Sequence, residues 1–190
     1  MRFIVIDGLD GSGKDTQALK LIEYLSRDGE EVVLRVHPSQ DNVFGRASKK
    51  ALTGGGKLMR IAATLFYGFD VVRSVILYCR GDRMVIFVRY TMACAYLPRP
   101  SIKPVYLLVS RVLPRSPDMF FLDVEPAEAL RRVRERGDTL EMFETLPHME
   151  KARSRAMILK GDWKVVDGNG TPDEVFRRLS GMLSDSPGHP

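Results

Sequence analysis

Residues 2–7, RFIVID, form a nearly continuous β-branched and apolar run. A strand wetted on one face alternates apolar and polar residues, so an unbroken run predicts a central parallel strand buried on both faces. Leu19, Leu21, Ile22 and Leu25 then recur at helical spacing, and Gly29 reads as the stop. Short apolar strands are predicted at 32–36, closed by Pro38, and at 84–88, 118–124 and 163–167. Helices are predicted at 43–52, 58–79, 126–136, about 140–160 and 171–184, with a Thr-Gly-Gly-Gly break at 53–56. Pro98, Pro100, Pro104, Pro114 and Pro117 crowd the segment 98–117, so Val105 to Val109 reads as a short helix pinned by prolines. The tail 184–190 is expected to fray.

Strands that alternate with helices imply a parallel sheet covered by helices on both faces. The fold class is therefore α/β, a three-layer arrangement of about five strands. The 190 residues form one domain, with no repeat and no low-complexity block.

Composition narrows the function. The chain is 44% hydrophobic and 28% charged, ordinary globular values. Its two cysteines, Cys79 and Cys94, make no C-x-x-C, so neither a zinc site nor a disulfide framework is indicated, and a reducing cytoplasm fits. The N-terminal apolar run is too short for a signal peptide. Arg60, Asp70 and Arg73 interrupt the long apolar segment 58–79, which argues for a packed helix rather than a membrane span. The net charge is +5, with twenty arginines against nine lysines. Arginine grips phosphate bidentately and lysine does not, so the excess points to phosphates or, more plainly, to a solvated basic face.

The sharpest signal follows the first strand: Gly8, Leu9, Asp10, Gly11, Ser12, Gly13, Lys14, Asp15 and Thr16. A G-x-x-x-x-G-K loop between a strand and a helix wraps backbone N–H groups around the phosphates of ATP. The helix N-terminus adds positive potential, and Lys14 reaches the β- and γ-phosphates. The position after the lysine usually holds a Mg²⁺-ligating Ser or Thr; here it is Asp15, with Thr16 next, so either can serve the metal. A chance glycine-rich turn is the competing reading.

The segment IDGLDGSGKDTQ resembles the phosphate loop of the thymidylate kinase family of nucleoside-monophosphate kinases. Three further segments resemble that family in order: 85–96 (VIFVRYTMACAY), 117–136 (PDMFFLDVEPAEALRRVRER) and 165–175 (VVDGNGTPDEV). The resemblance implies a P-loop kinase fold with a small lid at about 134–148. It implies transfer of the γ-phosphoryl of ATP to the 5′-phosphate of dTMP, with Mg²⁺. It places Arg89 at the acceptor phosphate and Arg136 and Arg132 in the lid, where they stabilise the transferring group. Asp10 falls near the acceptor sugar, Arg35 near the acceptor phosphate, and Tyr96 in the acceptor segment. Phe66 and Phe69 compete to stack on the base, and Arg73 lies one helical turn beyond Phe69. Arg131 and Arg134 read as solvated. Lys14, Arg89 and Arg136 are thus the expected catalytic residues.

Two positions depart from the family pattern: Val88 stands where an aspartate is usual, and Leu97 where a glutamine is. The Arg89-to-Ala95 interval is also one residue shorter. These changes open two alternatives, a same-fold kinase with another phosphorylated acceptor and a non-catalytic nucleotide-binding module. Small nucleotides are the expected partners. Nucleic acid is not expected, since the arginines form no single run, and neither is a membrane. A homodimer built on the long apolar helix is a further expectation.

Overall fold

The computed structural model describes residues 2–27, 29–53, 57–135 and 145–184. Five strands are present: β1 (Arg2–Gly8), β2 (Val32–Val36), β3 (Met84–Val88), β4 (Met119–Asp123) and β5 (Lys164–Asp167). All pair in parallel, in the order β2-β3-β1-β4-β5. The apolar runs of β1 and β3 occupy the middle of the sheet, where both faces are covered and no residue of β3 is exposed.

Among the described residues, seven α-helices surround the sheet: α1 (Lys14–Ser26), α2 (Val43–Thr53), α3 (Lys57–Tyr78), α4 (Arg99–Val112), α5 (Pro126–Glu135), α6 (Leu146–Leu159) and α7 (Pro172–Ser180). Alternate strand residues point to opposite faces, which makes two cores. Ile4, Ile6, Ile86, Phe120 and Leu122 meet Ala18 and Leu21 of α1 and Val175 and Leu179 of α7. Phe3, Val5, Phe87 and Phe121 meet Val71 of α3, Ile102 and Tyr106 of α4, and Ala156 and Leu159 of α6. A third cluster sets Leu9 of the phosphate loop against Ala129 and Val133 of α5 and Met149 and Ala152 of α6. The sheet and three-layer architecture expected from the sequence are present.

Element ends follow local chemistry. After α1, Gly29 adopts φ 78° and its N–H donates to Ser26 O at 3.1 Å. Thr171 and Glu174 form a reciprocal capping box, which starts α7 at Pro172. That helix ends at Ser180, capped by Gly181, four residues short of its expected end.

The proline-rich segment departs from expectation. It is one 14-residue helix, Arg99–Val112, not a short one confined to 105–109. Pro98 is the N-cap and Pro100 lies in the first turn, where a missing N–H costs nothing. Pro104 does remove an interior donor, but it is exposed, and burial of Ile102 and Tyr106 holds the helix to the core. A 3₁₀ helix over Thr91–Tyr96, not foreseen, follows β3.

The fold places the ends of β1 and β3 beside one another. The β1–β3 register pairs Ile6 with Val88, so the residues that follow each strand, the phosphate loop and Arg89, are neighbours. Open parallel sheets bind ligands at this carboxyl edge.

Candidate active site

The phosphate loop runs from the end of β1 to the start of α1. Gly11 adopts φ 78°, and a Cβ there would stand 2.2 Å from Ala129 O, so only glycine lets the loop lie against α5. Ser12 N–H donates to Leu9 O at 3.0 Å and closes the turn. Lys14, at the first position of α1, folds back under the loop with only 2% of its side chain exposed. Its ammonium donates to Leu9 O at 2.9 Å and Asp10 Oδ1 at 3.2 Å. Arg89 Nη2 donates to the same Asp10 oxygen at 2.6 Å. Lys14, Asp10 and Arg89, all anticipated from the sequence, therefore converge on one carboxylate oxygen.

Electrostatics follow from this crowding. Burial alone works to raise the Asp10 pKa, but the charges of Lys14 and Arg89 overcome it and hold the carboxylate well below its usual range. Burial lowers the Lys14 pKa, and repulsion from Arg89 adds to it, while Asp10, Asp15 and Asp7 oppose. Burial also works against the Arg89 charge, yet Asp10 raises its pKa above the ordinary value. Lys14 and Arg89 bond one shared carboxylate oxygen, which leaves both cations with donors for a phosphate. Arg89 has φ 63°, the left-handed region, which costs a residue with a Cβ about 1–2 kcal/mol.

ATP and Mg²⁺ fit these residues. The Ser12 hydroxyl is buried in the loop with no hydrogen-bond partner among the described residues, and the buried ammonium of Lys14 shares its bonded carboxylate with Arg89. A polyphosphate supplies what both lack. Asp15 and Thr16 are exposed in the first turn of α1, and the charge of Asp15 acts on both Lys14 and Arg89. An exposed carboxylate beside phosphate oxygens suits Mg²⁺, which keeps most of its waters.

The expected acceptor residues are more scattered. Arg35 Nη1 and Nη2 donate to Asp41 at 2.8 and 3.0 Å, and its guanidinium lies 4.3 Å from the centre of the Tyr78 ring. Phe69 is 55% exposed and lies 5.6 Å from Phe44 of α2; Phe66 is less exposed, at 36%. Arg73 Nη1 is buried without a hydrogen-bond partner among the described residues. Tyr96 is half-exposed at the end of the 3₁₀ helix. Val88 and Leu97 serve the core: Val88 is fully buried among α1 and β1 side chains, and Leu97 packs on the opposite cluster.

Of the lid, the described parts are the end of α5 and the start of α6. Arg136 and residues 137–144 lie outside the described residues. Arg132 is engaged, its Nε with Glu128 at 2.7 Å and its Nη1 with Gly168 O at 3.2 Å. Arg131 is exposed and pairs with Glu128 and Glu135, as a solvated helix face requires. Arg153, just beyond the lid, makes a two-pronged pair with Asp123 at 2.7 and 2.9 Å.

Several structural residues escaped the sequence reading. Asp7 ends an apolar strand, Asp70 sits inside an apolar helix, and His37 precedes Pro38 in a cis peptide. Asp70 is fully buried and accepts from Ser39 N–H at 2.6 Å and Asn42 Nδ2 at 2.7 Å. Gly45 lets α2 close on this loop, since a Cβ there would stand 1.9 Å from Ser39 O. For Asp70 the available signal was a charge inside an apolar run, and for Asp7 and His37 a polar residue at the end of one.

Comparison with known proteins gives the family. The family model described as Thymidylate kinase matches residues 6–179. A thymidylate kinase of Leptospira borgpetersenii serovar Hardjo-bovis is 33% identical over 184 residues, covering 92% of this chain and 89% of its own. One of Xanthomonas euvesicatoria pv. vesicatoria is 30% identical over 186 residues, 95% of this chain and 82% of its own. A probable thymidylate kinase of Pyrococcus abyssi is 29% identical over 195 residues, 95% of each chain. With the family model running from the end of β1 through the phosphate loop and Arg89 to the last turn of α7, this chain belongs to the thymidylate kinase family.

Proposed function

We infer that this chain transfers the γ-phosphoryl group of ATP to the 5′-phosphate of dTMP. It is a nucleoside-monophosphate kinase of the thymidylate kinase family. One observation carries the reading onto these residues: Lys14 and Arg89, from two different strand ends, meet on Asp10 Oδ1. A donor-side and an acceptor-side cation at one point is what in-line transfer between two phosphates needs. A phosphate oxygen of dTMP attacks the γ-phosphorus, the bond to the β–γ bridging oxygen breaks, and ADP leaves. Lys14 offsets charge on the donor, Arg89 holds the acceptor, and Asp15 with Thr16 serves Mg²⁺. Phe66 or Phe69 stacks on the base, Arg73 and Arg35 assist the acceptor, and Arg132 and Arg136 close from the lid.

An ADP-release assay over the common nucleoside monophosphates tests this reading. The expected result is turnover with dTMP well above the others, abolished by chelation of Mg²⁺. No turnover with any acceptor, alongside measurable ATP binding, would establish a nucleotide-binding module instead. Preference for a different acceptor would establish a same-fold kinase of other specificity.

The partner side of the reading includes a second copy of the chain. α3 is long and apolar enough over Ile61–Tyr78 to cross a membrane, yet it buries Asp70 against the loop after β2 and Ser74 beside Arg35 of β2. Its outer stripe, Leu58, Ile61 and Leu65, is exposed, and covering it by the same stripe of another copy makes a symmetric dimer. Sedimentation of the wild type is expected to give a dimer, and Leu65→Asp a monomer; a monomeric wild type at micromolar concentration overturns this. Cys79 and Cys94 are buried free thiols, each pushed up to about 11 by burial, which supports the cytoplasm as the place of reaction.

A further inference from the structure

The peptide group that joins Arg89 to Tyr90 is gripped at both ends. Its carbonyl oxygen, Arg89 O, accepts from the His37 ring at 3.0 Å. Its N–H, on Tyr90, donates to Asp7 Oδ2 at 2.9 Å. The next carbonyl, Tyr90 O, accepts from the Tyr67 hydroxyl at 2.9 Å. Upstream, Arg89 N–H donates to Ile6 O at 3.1 Å. Because a carbonyl can only accept, the His37 bond fixes Nδ1 as the protonated nitrogen.

His37 is fully buried, stacked on Phe87 with ring centres 5.7 Å apart and edge-on to Tyr67 at 6.2 Å. Asp7 Oδ1 accepts from Gly8 N–H at 2.9 Å, so the same carboxylate that holds Tyr90 also holds the first residue of the phosphate loop. Left to itself, a non-glycine residue leaves φ 63°. Here the side chains of Asp7 in β1, His37 just after β2 and Tyr67 in α3 hold it there.

We propose that His37 is a positioning residue for phosphoryl transfer: with Asp7 it clamps the Arg89–Tyr90 peptide, and so aims the Arg89 guanidinium at the meeting point of the two phosphates. The clamp ties acceptor-side Arg89 to the donor loop through one carboxylate, Asp7. The inference rests on the phosphoryl-transfer reading above.

The test compares three replacements of His37. Asparagine places an N–H donor where Nδ1 stands, glutamine places it where Nε2 stands, and leucine supplies none. His37→Leu and His37→Gln are expected to lower kcat about 30-fold with the KM for ATP little changed, and His37→Asn to restore most of the loss. In an Arg89→Ala background, His37→Leu is expected to cost nothing further, because its effect passes through Arg89. Equal losses in both backgrounds, or equal activity of the asparagine and glutamine variants, would overturn the proposal. Where a variant melts too low to assay, Tyr67→Phe, which removes only the bond to Tyr90 O, is expected to lower kcat in the same direction; unchanged kcat there overturns the clamp. A wild type without turnover would defeat the kinase reading alone. Amide exchange at Tyr90, expected to be at least tenfold faster in His37→Leu than in wild type, still decides the clamp; equal exchange rates overturn it.

Discussion

Lys14→Ala is expected to lower kcat about 10³-fold, or about 4 kcal/mol of transition-state stabilisation, while leaving the fold intact. The ammonium is buried beneath the phosphate loop, where water screens little, and it can move from Asp10 to the donor phosphates without leaving the site. An interaction that strengthens as charge develops on the transferring group lowers kcat and kcat/KM together when removed. Stability should barely change, because Asp10 keeps its 2.6 Å bond from Arg89 and a desolvated cation is lost with the lysine. A melting temperature within about 4 °C of wild type is the matching observation. Wild-type turnover in Lys14→Ala would remove the loop from the mechanism.

The sequence displayed the donor side of the site and hid much of the acceptor side, for a physical reason. A phosphate loop is made of consecutive residues, so Gly8 to Lys14 shows the strand end, the turn and the cation in one line. The sheet was legible for a similar reason, since burial on both faces leaves no polar alternation in β1 or β3. The acceptor side is assembled across elements. Nothing in the spacing of Asp7, His37 and Tyr67 announces that they meet around Arg89, because 30 and 22 residues of chain separate Asp7 from His37 and Tyr67 from Arg89. Asp70 reads as a charge interrupting an apolar helix, and only the packed loop after β2 turns it into a buried acceptor. The proline-rich helix α4 misled for the converse reason: local propensity argued for a break, and tertiary burial of Ile102 and Tyr106 overrode it. Val88 shows the same limit, since a missing carboxylate reads as a functional loss in sequence but fills the core between α1 and β1 in space.

Arg89→Ala is expected to reduce kcat/KM for the acceptor about 10²–10³-fold while changing the KM for ATP little. One guanidinium nitrogen is spent on Asp10, and the planar fork retains donors for an acceptor phosphate. Asp10 keeps the guanidinium charged at every working pH, so the loss should be uniform across the pH profile. Arg89→Lys restores charge without the fork and should recover less than about tenfold of it, because an ammonium acts as a point charge. The competing account makes Arg89 a mere partner for Asp10. That account predicts a different pattern: a lower melting temperature, unchanged KM for the acceptor, and full rescue by lysine. The left-handed backbone argues against it, since a simple ion pair needs no strained residue held in place by His37 and Asp7. An acceptor KM that stays at the wild-type value in Arg89→Ala would decide for the ion pair and against the phosphate contact.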